Sequence, residues 1–189
     1  MLRLLILLPL LLFVTPFLLA SLFLLLAFKG DPGDCGGGRN LRVDAALAQS
    51  YQQRWLDLNA QLTSGQPASF TVTDSEATSR TREFLAQTDA PVSGVRVCFV
   101  PGGSDINGKI STPFGPAVDV RVKGSVDLSG RHPRASVDSI RVGALPSFVT
   151  RPFRGLVTRI IDQQTDQIEL DHRITVQLLD GQAVISGQP

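Results

Sequence analysis

The chain is 189 residues long and almost neutral, with 18 Lys and Arg against 17 Asp and Glu and a formal net charge of +1. That length is enough for one domain and an appendage. A chain this close to neutral has no overall positive field, so its charge gives no support to nucleic-acid binding, and we expect no nucleic-acid partner.

An uncharged, leucine-rich segment of 25 residues runs from Leu4 to Phe28. As a helix it would measure about 37 Å, against about 30 Å for the hydrocarbon core of a bilayer. The apolar part of a cleavable signal is shorter, about 7–15 residues, and Ala27-Phe28-Lys29 is a poor cleavage site. We therefore predict an uncleaved transmembrane anchor at residues 1–28, with a cleaved signal peptide as the alternative.

Residues 29–40 follow as a linker whose glycines and prolines disfavour both helix and strand. Residues 41–189 then form one domain, large enough to bury a core of its own. Arg3 and the α-amino group precede the apolar segment, whereas Lys29 alone follows it closely. The positive-inside rule therefore predicts a single-pass protein of the cell membrane, with a cytoplasmic N-terminus and an extracytoplasmic domain.

The chain has two cysteines, Cys35 in the linker and Cys98 in a predicted strand. A disulfide between them would form in an oxidising compartment. Two separate thiols fit the sequence equally well, so both alternatives stay open.

The first elements of the domain alternate helix and strand. Apolar residues at steps of three and four predict an amphipathic helix over 41–63 that ends before Gly65. A short strand follows at 70–73. Thr73 and Glu76 form a capping box, which predicts a helix from Asp74 to about Gln87. The residues on the apolar face of the first helix are Leu47, Tyr51, Trp55, Leu58 and Leu62.

After Pro91 the apolar period changes to two, which is typical of strands with one buried face. We predict strands at 95–100, from 108 and at 117–128, with a turn over 101–108. A parity slip predicts a β-bulge near Asp138–Ser139. The dipeptide Asp180-Gly181 predicts a tight hairpin at the end of the chain.

The order of elements predicts an α+β fold in which one long, curved antiparallel sheet packs on amphipathic helices. The connection between strands near 142 and 174 is predicted to be a helical crossover. Its apolar residues repeat every four positions from Phe148 to Ile161, and arginines lie opposite them.

This crossover has two interpretations. In the functional one, its stripe and the inner face of strand 117–128 line a cavity for an acyl chain, and arginines bind a phosphate headgroup through their planar forks. In the other, the stripe is packed core and the arginines are solvated. The predicted cavity-lining residues are Phe148, Phe153, Leu156, Val157, Ile160, Val118, Val120 and Val122, and the predicted headgroup residues are Arg151, Arg154 and Arg159.

No catalytic motif stands out. His132 and His172 lie in polar turns, and the sequence has no Gly-x-Ser-x-Gly elbow, P-loop, His-x-x-x-His or Cys-x-x-Cys pair. "DING" at 105–108 resembles half of a calcium loop but lacks the closing Glu, so a plain turn is the better interpretation. We expect no enzyme activity, no cofactor and no metal site.

Several stretches together resemble small, membrane-anchored bacterial proteins with a TULIP-like lipid-binding domain, the YpmS-type and LmeA-type families. They are "FTVTDSEATSRTREFL", "VRVCFVPGGSDINGKI", "VDVRVKGSVDLSG", "IRVGALPSFVTRPF" and "ITVQLLDGQAVISGQ", which span residues 70–187. The resemblance implies a curved sheet wrapped on a long helix and an apolar groove that binds phospholipid or another envelope lipid. The alternative is a non-enzymatic interaction or scaffold module of the cell envelope with a dry core and an unknown protein partner.

Overall fold

The computed structural model describes residues 21–22, 25, 35, 38–88, 90–112, 115–146, 150, 155, 158 and 169–189. Two helices and seven strands are defined within these ranges, and we number them in chain order. They are α1 (Ala45–Thr63), β1 (Ala68–Thr73), α2 (Asp74–Gln87), β2 (Val92–Val100), β3 (Gly103–Thr112), β4 (Gly115–Asp127), β5 (Arg134–Val142), β6 (Arg173–Leu179) and β7 (Gln182–Gln188).

Helix α1 is capped at both ends, and it begins at Ala45 rather than at the predicted residue 41. The Asp44 carboxylate accepts a hydrogen bond from the Ala46 N–H at 2.9 Å, which satisfies one of the free donors of the first turn. At the other end Gly65 has a φ of +80°, and its N–H donates to the Leu62 carbonyl. Left-handed glycine with this bond is the usual helix stop, so the predicted end of the helix is confirmed.

Helix α2 runs over the predicted range because its capping box forms. The Glu76 N–H donates to the Thr73 hydroxyl at 3.3 Å, and the Thr73 N–H donates to the Glu76 carboxylate at 2.9 Å. Each residue thus satisfies an amide that the first turn leaves free. The prediction of a capped helix from Asp74 to Gln87 is confirmed.

The α+β class is confirmed, but the single curved sheet is wrong. The strands form two antiparallel sheets, one in the order β1-β7-β6 and the other in the order β2-β3-β4-β5. The two sheets meet at one corner, where the Gly102 N–H donates to the Leu178 carbonyl and the Gly181 N–H donates to the Phe99 carbonyl. The predicted TULIP-like arrangement, in which one curved sheet wraps around a long helix, is therefore wrong as well.

Helix α2 explains why the sheets stay separate, because it occupies the edge of β2. The Phe99 N–H donates to Asp74 at 2.7 Å, and the Arg82 guanidinium donates to the Val95 carbonyl at 2.7 Å. Between them, the buried Thr78 hydroxyl accepts from the Val97 N–H at 2.9 Å and donates to the Val97 carbonyl at 3.2 Å. We call these contacts the edge ladder.

The edge ladder is possible because four residues of a helix and two residues of a strand cover nearly the same length. Four helical residues rise about 6 Å, and two strand residues rise about 6.6 Å. Asp74, Thr78 and Arg82, spaced four apart, therefore reach main-chain groups of β2 that are spaced two apart. Side chains of α2 take the place that a neighbouring strand would otherwise hold.

The turn predicted over 101–108 is wrong. Only Pro101-Gly102 forms the turn, with a φ of +75° at Gly102, and β3 begins at Gly103. Asp105 and Asn107 lie on one face of β3, two residues apart. Glycines flank these alternating polar residues and give the strand the composition of a loop.

The predicted β-bulge is confirmed at the predicted position. Lys123 pairs with Ser139 and Gly124 pairs with Val137, so Asp138 has no partner in the ladder. A side chain at Gly124 would lie 2.2 Å from the Ser136 carbonyl oxygen. Glycine is required there because the bulged strand crosses its neighbour closely.

The final hairpin is confirmed as well. Strands β6 and β7 are joined by Asp180 and Gly181, and Gly181 has a φ of +78°. This two-residue loop fixes which residues of the two strands face each other. Thr175 therefore pairs with Ser186, and both side chains lie on the face opposite the core.

The core of the three-stranded sheet lies under α1. Phe70 of β1 makes edge-to-face contacts with Tyr51 and Trp55, at centroid distances of 6.2 and 6.3 Å. Such contacts add to the free energy gained by burying the rings. The buried members of this core are Leu58, Leu62, Val72, Ile174 and Ile185.

The predicted anchor at residues 1–28, and with it the single-pass location in the cell membrane, is corrected. No helix among the described residues is long and apolar enough to cross a bilayer. A span needs about 20 mostly apolar residues, and the 19-residue α1 contains Gln, Arg and Asp. Ser21, Leu22 and Leu25 of the predicted anchor are helical, and its other residues lie outside the described ones.

The edge ladder yields a sharp test at Thr78. The variant Thr78→Val keeps the shape but leaves the buried N–H and C=O of Val97 without their partner, so we expect it to lower the free energy of unfolding by about 2–4 kcal/mol. Thr78→Ser keeps the hydroxyl and loses one methyl group, at a cost of about 1 kcal/mol. Denaturant unfolding measures both. Equal losses in the two variants would contradict the ladder.

The bulge is tested by a pair of glycine variants. Gly124→Ala forces a methyl group against the Ser136 carbonyl, and we expect a loss of about 1–3 kcal/mol from overpacking. In the control Gly130→Ala, the new methyl group has its nearest neighbour at an ordinary 3.5 Å, and the change should stay within about 0.5 kcal/mol. Thermal unfolding of both variants checks the difference, and a neutral Gly124→Ala would refute the close crossing.

Candidate functional site

The predicted acyl cavity is only partly within the described residues. Val118, Val120 and Val122 lie on one face of β4, as expected; Val118 is buried and the other two are half-buried. On the same face Ile110, which pairs with Val118, is 39% exposed. The remaining lining residues, Phe148, Phe153, Leu156, Val157 and Ile160, and the headgroup residues Arg151, Arg154 and Arg159 lie outside the described residues.

The crossover itself is described at three positions. Thr150, Gly155 and Thr158 are helical, in agreement with a helix in this stretch. The Thr150 side chain is buried, and its hydroxyl donates to the Ile140 carbonyl at 3.0 Å. A threonine from this stretch therefore satisfies a main-chain acceptor of β5, as Thr78 does for β2.

A small apolar cavity lies between the two helices and the three-stranded sheet. Its volume is about 190 Å³, below the roughly 300–1,000 Å³ that is typical of ligand pockets. Tyr51 lies beside it, and burial raises the pKa of the Tyr51 hydroxyl, while the charge of Arg80 partly opposes that rise. Other residues around the cavity are Val72, Ala77, Phe99, Val176 and Ile185.

A much larger concave surface is polar, and we call it the polar cleft. It has a volume of about 1080 Å³ and lies between the outer face of the three-stranded sheet, the connection between β4 and β5, and the segment that leads into β6. Its floor carries one side-chain hydroxyl from each of the three strands, at Ser69, Ser186 and Thr175. Ser186 of the central strand pairs with both of the others, so the three form a row across the sheet, here called the hydroxyl row.

The wall of the polar cleft is fixed by contacts between distant parts of the chain. The Leu170 N–H donates to the Arg131 carbonyl at 2.8 Å, and the Arg131 guanidinium lies 3.6 Å from the Glu169 carboxylate. His172 and Arg173 continue this wall, and His172 is half-buried. The sequence analysis placed this histidine in a polar turn, and the structure brings it to the cleft.

The charges around the polar cleft cancel. Arg131 and Arg173 carry positive charge, and Glu169 and Asp171 carry negative charge. The Arg131–Glu169 pair is largely exposed, at 82% and 63% of the two side chains, so it contributes little to stability. The described residues that line the cleft therefore combine hydroxyl groups with formal charges that sum to zero.

On the other side of the fold, a disulfide joins Cys35 to Cys98, so the alternative that the sequence left open is decided. Both residues are buried, so the predicted linker packs against the domain at Cys35. The disulfide indicates an oxidising environment, because cytosolic reductants keep most thiols reduced.

Arg39, four residues after the disulfide-bonded Cys35, joins three elements. The Arg39 guanidinium donates to the Asp74 carboxylate at 2.6 Å and to the Phe99 carbonyl at 3.0 Å, and it also pairs with Asp180. The hydrogen bond with Asp74 raises the pKa of Arg39, while burial acts in the opposite direction. Because the Asp74 side chain is only 5% exposed, its charge needs this partner.

The stretch that resembles half of a calcium loop forms an ion pair instead. The Asp105 side chain is 3% exposed and accepts a hydrogen bond from the Arg121 Nε at 2.7 Å, and the Lys123 ammonium lies 3.8 Å away. The Arg121 guanidinium occupies the carboxylate oxygens of Asp105 that a metal ion would otherwise bind. In the part of the chain that the structure describes, no group of three or more His, Cys, Asp or Glu residues is placed to hold a metal ion.

The chain matches no protein-family model, no curated protein and no solved structure. The resemblance to the YpmS-type and LmeA-type families therefore has no support beyond the residues that suggested it. Nothing in the described residues indicates lipid binding.

Sequence reasoning missed the polar cleft. One signal was available, since the Asp180-Gly181 turn places Thr175 opposite Ser186 on the outer face of a hairpin. Ser69 had no such signal, because the pairing of β1 with β7 joins residues more than 100 positions apart.

The disulfide is expected to carry a large share of the stability. Removing the link between residues 63 positions apart, in the double variant Cys35→Ala/Cys98→Ala, frees the unfolded chain and should lower the free energy of unfolding by about 2–4 kcal/mol. The wild-type chain treated with a reductant serves as the matched control and should unfold at the same denaturant concentration as the variant. A loss below about 1 kcal/mol in both would contradict this role.

Proposed function

We propose that this domain is a non-enzymatic binding module that works in an oxidising compartment and takes its ligand or partner in the polar cleft. The observation that carries the proposal is the cleft itself, a concave surface of about 1080 Å³ built on the face of a sheet. Binding sites are concave, and side chains on strands are held more rigidly than side chains on loops.

The construction of the floor supports this function. The hydroxyl row belongs to three hydrogen-bonded strands, so its members are positioned by the sheet and by the hairpin turn. The opposite face of the same strands is buried against α1, with Val72, Ile174 and Ile185 in the core. A surface supported in this way needs little ordering when it binds, which reduces the entropy cost of association.

The interior favours the binding-module hypothesis over a lipid carrier. The apolar cavity of about 190 Å³ has room for only part of an acyl chain, since ligand pockets usually reach about 300–1,000 Å³. The lipid-binding hypothesis stays an untested prediction at residues outside the described ones. Among the concave surfaces formed by described residues, the polar cleft of about 1080 Å³ is larger than the two more apolar ones, of about 400 and 190 Å³.

The proposal is tested by site-specific cross-linking in the native cells. A photoreactive residue at Gln188, which lines the cleft, should give an adduct of defined mass. The matched control is Gln177, which lies on the same outer face but outside the cleft. We expect the adduct from position 188 only, because only that position lies beside the bound partner.

A second variant makes this test specific. Thr175→Trp places a bulky ring on the floor of the cleft and should abolish the adduct from position 188, while far-ultraviolet circular dichroism confirms that the fold persists. The proposal fails if positions 188 and 177 give the same adducts, or if Thr175→Trp leaves the adduct unchanged.

A further inference from the structure

We infer that the polar cleft binds a neutral, polyhydroxylated ligand, a saccharide chain, which hydrogen-bonds to the hydroxyl row. This inference rests on the proposed function and names the ligand class of the same site. It starts from three side chains, Ser69, Ser186 and Thr175, which the register of the three-stranded sheet brings into one line.

The hydroxyl row offers hydrogen-bond acceptors at all three positions and donors at Ser69 and Ser186. A serine or threonine hydroxyl has one donor and two acceptor lone pairs and can rotate to suit its partner. The Thr175 hydroxyl donates to the Ser186 carbonyl at 3.3 Å, so this position of the row can only accept hydrogen bonds from a ligand. A sugar hydroxyl has the same mixed character, so each can donate to or accept from the row.

The dimensions of the row suit a chain rather than a single small group. Three neighbouring strands place its ends about 10 Å apart, because adjacent strands are separated by about 4.8 Å. Gln188 and Arg173 form the next pair along the same face, and both line the cleft. Amide and guanidinium groups there add donors for ring and glycosidic oxygens.

The balance of charge argues against an ionic ligand. Two arginines and two carboxylates surround the cleft, and one arginine already faces Glu169 at 3.6 Å. A phosphate or a carboxylate ligand would gain from the arginines but would be repelled by Glu169 and Asp171. A neutral ligand avoids this repulsion and can still hydrogen-bond to the polar side chains of the cleft.

The placement of the row also argues against recognition of a peptide by strand addition. That mode pairs a peptide with the main chain at a sheet edge. The floor of the cleft instead crosses the face of all three strands, and at the outer edge of β1 the Thr71 carbonyl already accepts a hydrogen bond from Arg54 at 2.6 Å. Recognition in the cleft is therefore by side chains.

The experiment uses nuclear magnetic resonance of the full-length, oxidised chain with neutral trisaccharides of glucose and of N-acetylglucosamine as probes. Saturation transfer to the sugar and shifts of the amides of residues 69, 175 and 186 report binding at the row. Because this row lacks an aromatic platform, we expect a weak dissociation constant, on the order of 10⁻⁴–10⁻³ M.

Two variants assign the contact. Ser69→Ala/Ser186→Ala removes two hydroxyls of the row and should weaken binding at least about tenfold, since two hydrogen bonds are lost. Thr71→Ala removes a hydroxyl on the same outer face but outside the cleft and should leave the affinity unchanged. The melting temperatures of the wild-type chain and of both variants are compared, and equal values show that a change in affinity does not come from loss of the fold.

The outcomes separate the ligand class from the site. Equal sugar affinity in the wild-type chain and in Ser69→Ala/Ser186→Ala overturns the inference. If the trisaccharides do not bind but inorganic phosphate or a zwitterionic tripeptide shifts the amides of the row, the saccharide is wrong and the binding cleft stands. If none of these probes shifts those amides and cross-linking also fails, both proposals are overturned.

Discussion

The structure depends on one constraint, namely how the outer edge of β2 is satisfied. An exposed row of main-chain donors and acceptors must be paired or covered, or it recruits another strand. Here three residues of α2, four positions apart, supply the partners, with Thr78 both accepting from and donating to Val97. This arrangement fits because four residues of a helix rise by nearly the same distance as two residues of a strand. As a result, the hairpin of β6 and β7 forms main-chain hydrogen bonds only with the C-terminal end of β2 and the turn that follows it.

The same constraint links the disulfide to the fold. Asp74 begins α2, accepts a hydrogen bond from the Phe99 N–H, and pairs with Arg39, which follows the disulfide-bonded Cys35. One nearly buried carboxylate thus joins a helix, a strand edge and the segment before the domain. Removing a partner from such a charge costs more than the pair itself contributes, because the remaining charge stays out of water. The segment read as a linker is therefore part of the folded domain where the disulfide holds it.

The separation of the sheets also creates the surface that we propose as functional. The outer face of the three-stranded sheet is open at the end where β6 begins and β7 ends. The connection between β4 and β5 approaches that end and is held there by the Leu170 N–H, which donates to the Arg131 carbonyl. The polar cleft lies between them. A single continuous sheet, as the alternating pattern predicted, would have no such boundary. The proposed binding surface therefore depends on the division of the strands into two sheets.

The sequence by itself determined the elements whose signals are local. The capping box at Thr73, the stop at Gly65, the bulge at Asp138 and the hairpin turn at Asp180-Gly181 each depend on neighbours within a few residues, and each appears as predicted. The tertiary structure alone decided the division into two sheets, the Cys35–Cys98 pairing and the meeting of Ser69 with Ser186. Several strands carry the same alternating pattern, so local signals do not choose among their partners. The choice is made by long-range competition for strand edges, in which Thr78 and its neighbours on α2 occupy the edge of β2.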